Sequence, residues 1–127
     1  MTSAPRRFPP YPIRGGRVRH KNKNRAPQFA EIEVDLEPAE AGFAFEVARD
    51  LTVDHEPADA LPRFFAAAAL GIEEQPRLPE HGVVIAARVV LRRAGVDTFG
   101  SHERAFRIAG HLAARQALAR TEGAADG

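Results

Sequence analysis

At 127 residues the chain suits one compact domain and is short for two. It has no cysteine, which excludes disulfides and cysteine-ligated zinc, and its 44% hydrophobic and 28% charged content is ordinary for a globular protein. The formal net charge of +1 conceals a split: residues 1–25 hold eight of the 18 basic residues and none of the 17 acidic ones, about +8 against about −7 in the remainder.

Residues 1–12 carry four prolines and no periodicity, so they are expected to be a disordered, Pro-rich basic arm. The Arg6-Arg7 pair is not a twin-arginine export signal, because Phe8-Pro9-Pro10-Tyr11-Pro12 is no helix-competent apolar region. Ile13 to Arg19 suits a short strand with a bulge at Gly15-Gly16, and Lys21-Asn22-Lys23-Asn24 suits a loop. A cationic segment of this kind has two outcomes: contact with a polyanion, or pairing with the chain's own acidic body.

From Phe29 to Leu36 apolar and acidic residues alternate: Ala30, Ile32, Val34 and Leu36 against Glu31, Glu33 and Asp35. That is the pattern of a half-buried strand. Glu37 to Gly42 reads as a turn, and Phe43, Phe45 and Val47 begin a second strand expected to pair antiparallel with the first. Pro57 to Glu74 has helical spacing through Leu61, Phe64, Phe65, Ala68 and Ile72, with Pro62 in its first turn. Gly82 to Arg93 alternates as a long strand whose second face becomes charged at Arg88, Arg92 and Arg93. Those arginines either extend a basic ridge or pair with Glu31 and Glu33. A helix follows over Glu103 to Arg120, with Ser101 as N-cap, and residues 121–127 are expected to fray. The longest apolar run, Phe64 to Ile72, is nine residues, against the roughly 20 a bilayer requires. A cytoplasmic protein is therefore expected. The elements add up to an α/β (α+β) two-layer sandwich, a four-stranded sheet with two helices on one face.

Several blocks carry a family resemblance. Phe29-Ala30-Glu31-Ile32-Glu33-Val34-Asp35-Leu36-Glu37-Pro38, Gly42-Phe43-Ala44-Phe45, Leu61-Pro62, Gly82-Val83-Val84 and Ser101-His102-Glu103-Arg104-Ala105-Phe106-Arg107-Ile108-Ala109-Gly110 resemble, in order and spacing, domain IV of elongation factor G. The resemblance spans about Ile13 to Arg120 and implies a stand-alone domain at 13–120 with the fold of ribosomal protein S5 domain 2 and a left-handed crossover. It also implies two tip loops near the decoding region of the small ribosomal subunit, which map here to Lys21–Gln28 and Ala94–His102. Asp97 falls where the family carries a tip histidine, and His102 where it carries a second serine. An Asp is unfavourable beside phosphates, whereas the first loop has gained cations.

These features define a candidate RNA-binding set: Arg14, Arg17, Arg19, Lys21, Lys23, Arg25, Gln28, Arg92, Arg93, Ser101 and His102, with Asp97 and Thr98 in the second loop. The expected partner is the ribosome or another structured RNA, with no nucleotide, cofactor, metal or membrane. The only double glycine, Gly15-Gly16, is not a phosphate loop, so GTP hydrolysis is not expected. The competing expectation is a protein-interaction or regulatory module docking on a GTPase, a translation factor or a second copy.

Chemical alternatives are weaker. Asp54-His55-Glu56 is a dense titratable run but lacks further ligands, and it suits the charge at a helix start. Asp97, Ser101 and His102 invite a triad, but adjacent residues at a helix start diverge. His20, within the basic segment, has two outcomes, phosphate contact or solvent exposure; His81 falls in an expected turn with no assigned partner, and His111 is expected on the surface or half-buried.

Overall fold

The computed structural model describes residues 6–22, 28–53, 61–97 and 101–125. Five strands, β1 (Arg6–Phe8), β2 (Ile13–Asn22), β3 (Gln28–Pro38), β4 (Gly42–Val53) and β5 (Val83–Gly95), form one mixed sheet. Helices α1 (Leu61–Glu74) and α2 (Glu103–Ala125) complete a two-layer α/β sandwich, with a short 3-10 turn at Pro79–His81. Asp54-His55-Glu56 and the expected helix start at Pro57 lie outside the described residues.

The alternation along β3 translates directly into packing. Ala30, Ile32, Val34 and Leu36 are all at most 2% exposed and face the helices. β2 pairs antiparallel with β3, Val18 opposite Ile32. One extra residue is absorbed between Ile13 and Gly16, where Gly15 takes φ +68°, a conformation a side chain disfavours.

The expected β3–β4 hairpin does not form. β5 lies between these strands, antiparallel to β3 and parallel to β4, and α1 provides the crossover that parallel pairing requires. The reason lies in β5 itself. Ile85, Val89 and Leu91 are buried toward the helices, while Ala86 and Val90 on the opposite face are buried too, at 2% and 5% exposure. A strand apolar on both faces belongs at the sheet centre.

Three boundaries differ from the sequence expectation. Within the supposed disordered arm, Arg6–Phe8 pairs parallel with Val83–Ile85 and Phe8 is 1% exposed. One large apolar side chain anchors a strand too short to show periodicity. β2 continues through Lys21 and Asn22, where a loop was expected, and α2 extends to Ala125, beyond Arg120.

α2 lies against β2 and β3, and α1 packs chiefly on α2. Phe64 and Phe106 stack at 4.9 Å between ring centroids, 4° from parallel. Beside them Gly71 and Gly110 each face the other helix's backbone, and this allows a close crossing.

Candidate nucleic-acid interface

The described flanks of the two tip loops lie at one end of the sheet. Lys21 pairs with Phe29 and Asn22 with Gln28 at the last rungs of the β2–β3 ladder, and Gly95 ends β5 opposite Glu31. A Cβ at Gly95 would stand 3.0 Å from that of Glu31, so the bare backbone lets the strands close together here. His20 Nε2 donates to Gln28 Oε1 at 2.8 Å, which gives His20 a partner inside the domain.

Ser101 ties the second loop to the start of β3. Its hydroxyl donates to the Phe29 carbonyl at 2.8 Å and accepts from the Asp97 N–H at 2.8 Å, while its own N–H donates to the Asp97 carbonyl at 3.0 Å. Ser101 is therefore not the helix cap. That role falls to His102, whose Nδ1 accepts the Ala105 N–H at 3.2 Å, the geometry of a cap reaching the third helical residue. The same bonds remove the triad reading: the Ser101 proton is committed to a backbone carbonyl and the His102 Nδ1 to an amide. Lys23, Arg25 and Thr98 lie outside the described residues.

Electrostatics divides the candidate cations into two groups. The outward side chains of β3 form a row of acids, and arginines of β2 from both sides of the Gly15 bulge stand beside them. Arg17 Nη2 lies 3.1 Å from Glu31 Oε1, Arg19 Nε 3.9 Å from Glu31 Oε2, and Arg14 Nε 3.2 Å from Glu37 Oε1. Arg19 also covers the Phe29 ring at 5.4 Å, a cation–π arrangement. On the other flank the β3–β5 register shifts by one residue, so that Arg92 is the extra residue and Arg93, rather than Arg92, stands opposite Glu33. Arg92 Nε bonds Asp35 Oδ2 at 2.9 Å, and Asp35 Oδ1 accepts the Gly15 N–H at 2.8 Å. The Asp35 hydrogen bond, reinforced by its charge, raises the Arg92 pKa.

Arg88 pairs with Glu46 rather than with Glu31 or Glu33. Four of the candidates, Arg14, Arg17, Arg19 and Arg92, are thus held by the domain's own carboxylates. Lys21 and Arg93 form no ion pair among the described residues.

Sequence reasoning missed a second constellation. Glu74, at the end of α1, accepts Arg107 Nε at 2.8 Å and bonds His111 Nε2 at 3.0 Å, with a further bond to Arg107 Nη2. These bonds, Arg107 first and His111 second, hold the Glu74 carboxyl below its ordinary range, and Glu74 in turn raises Arg107. Helical spacing places Arg107 and His111 one turn apart, but nothing local pointed to an acid 33 residues earlier. His81 is half-buried, within 3.3 Å of Gln75 Nε2. A groove of about 750 Å³ runs between the helices, lined by Ala66, Ala67, Leu70 and Ile108 with Arg63 and Arg104 at its rim. Among the described residues no three His, Asp or Glu side chains are grouped to hold a metal ion, and no helix is long and apolar enough to cross a membrane.

The fold defines the class, a two-layer α/β sandwich, and comparison with known proteins extends no further than fold. No family model matches the chain, and no curated protein does. Among solved structures it is similar to a protein of Thermus thermophilus, with a TM-score of 0.59 and 20% identity over 83% of this chain. The match covers 15% of that protein, so the domain corresponds to a small part of a longer chain.

Proposed function

We propose that this chain is a non-catalytic, translation-associated module, similar to domain IV of elongation factor G, that contacts ribosomal or transfer RNA through the basic tip at this end of the sheet. The observation that carries the proposal is the Ser101 junction. It binds the start of β3 to the segment after β5, close to Lys21, which is exposed and forms no ion pair among the described residues. Lys23 and Arg25 follow Lys21 in sequence, and Arg93 lies on β5 toward the same end. Cations so placed meet phosphates without reading sequence. The element order from β2 to α2, three strands, helix, strand and helix, is the one read from the sequence.

Co-sedimentation with small ribosomal subunits tests the proposal. The native chain should pellet with them, and replacing Lys21, Lys23 and Arg25 together by Ala should release it. Absence of the native chain from the pellet would reject RNA contact. A second function, docking on a translation factor, has its own supporting observation: Leu70 is 45% exposed in the groove between α1 and α2. A Leu70→Asp variant that loses a nuclease-resistant protein partner but keeps subunit binding would favour it.

A further inference from the structure

The carboxylate row of β3 occupies the guanidinium groups that a phosphate backbone would otherwise take. Glu31 is 8% exposed, yet both of its oxygens face arginines, Arg17 through one and Arg19 through the other. Asp35, also 8% exposed, is fixed by Arg92 and the Gly15 amide, and Glu37 engages Arg14. The arginine side chains themselves remain 45–70% exposed. Their charge is cancelled locally while their position remains accessible, which is the arrangement of an internal competitor rather than of a buried structural pair.

We propose that Glu31, with Glu37 beside it, acts as a built-in phosphate mimic that withholds the β2 arginines and confines RNA contact to the tip. This inference rests on the RNA-contact function proposed above. A cation already paired with a carboxylate at about 3 Å neutralises no phosphate and so releases none of the counterions condensed on the RNA, whereas a freed one contributes about 0.7–0.9 to the slope of log affinity against log salt. Arg17 and Arg19 share one acid, so a single substitution should release two contacts. Asp35 is the less suitable handle because it also orders the Gly15 bulge.

The test is filter binding of unfractionated transfer RNA across a salt series, using the full chain. Glu31→Gln should bind more tightly, by about tenfold at 50 mM salt, with a slope steeper by about 1.5. Glu37→Gln, at a more exposed site, should steepen it by about 0.8. Adding Arg17→Ala and Arg19→Ala to Glu31→Gln should abolish the gain. Glu80→Gln, which removes an equal charge at an exposed position, should change nothing. Thermal melting by circular dichroism confirms that each variant is folded.

If the native chain binds and neither Gln variant changes affinity or slope, the mimic is overturned and tip contact stands. Tighter binding by Glu80→Gln equal to that of Glu31→Gln would also overturn it, because net charge alone would then suffice. If no form binds, both the mimic and the RNA-contact function fail. Binding by Glu31→Gln alone supports the mimic and removes the tip as the native contact.

Discussion

Replacing Gly71 with Ala probes the helix crossing on which the second layer depends. A Cβ there would enter the Arg107 carbonyl oxygen and stand 3.0 Å from the His111 nitrogen. At Gly110 the clash is reciprocal, with the Ala68 carbonyl oxygen and, at 3.0 Å, the Ile72 nitrogen. These are backbone atoms of a packed helix and cannot swing aside as a side-chain tip would. The helices must therefore separate, which loosens the Phe64–Phe106 stack and the Glu74–Arg107 bonds nearby. Overpacking of this kind costs about 1–3 kcal/mol, and the upper end applies where only backbone can yield. Since the better helix propensity of Ala returns about 1 kcal/mol, a net loss near 2 kcal/mol against a total stability of about 5–15 kcal/mol should lower Tm by about 7 °C. Urea titration and thermal melting of Gly71→Ala and Gly110→Ala measure the effect. Gly16→Ala is the internal comparison, because its Cβ would meet only the Val34 carbonyl oxygen at an ordinary 3.5 Å and the flexible tip of Gln116 at 3.8 Å. A loss under about 0.5 kcal/mol at both positions would refute the close crossing, since better helix propensity alone stabilises Ala over Gly by about 1 kcal/mol.

Asp35→Ala should cost about 1–3 kcal/mol in urea titration, because it leaves the Gly15 amide and Arg92 without their acceptor. An unchanged midpoint would mean water satisfies both. Since its partners depress the folded-state pKa of Glu74, that group stabilises the fold above its ordinary value of 4.5 and loses this contribution as pH falls through the depressed range. Glu74→Gln should therefore flatten the acid limb of a Tm-against-pH profile, and parallel limbs would contradict this assignment. Phe106→Ala should cost about 3–5 kcal/mol, because a ring at 0% exposure is lost from between sheet and helix; a loss under about 1 kcal/mol would place Phe106 outside the core.

The sequence disclosed much of this fold because its strongest periodicities are those of the core. β3 alternates without interruption, and Phe106, Ala109, Ala113 and Ala117 of α2 are all buried as their spacing requires. The strand order was harder to read. A short turn between β3 and β4 suggests a hairpin, and only the small apolar Ala86 and Val90 on the second face of β5 indicated that it belonged between them. The charge asymmetry was visible in the composition, but its resolution depends on register. Arg17 and Arg19 reach Glu31 only because the Gly15 bulge and the β2–β3 ladder set the two strands at that offset. The helix start illustrates the same limit at one residue's distance: Ser101 has the cap chemistry, yet it ties the second loop to the start of β3 while His102 caps α2. A variant lacking residues 1–25 would remove β1 and β2 along with the basic charge, so point substitutions are the sounder probes.

The most direct measurement is the affinity of the full chain for transfer RNA as salt is raised from about 50 to about 200 mM. Contact through about four tip cations, Lys21, Lys23, Arg25 and Arg93, predicts a log–log slope near −3 that falls toward −1 when the first three are replaced by Ala. A slope indistinguishable from zero, or one unmoved by those substitutions, would contradict RNA contact at the tip.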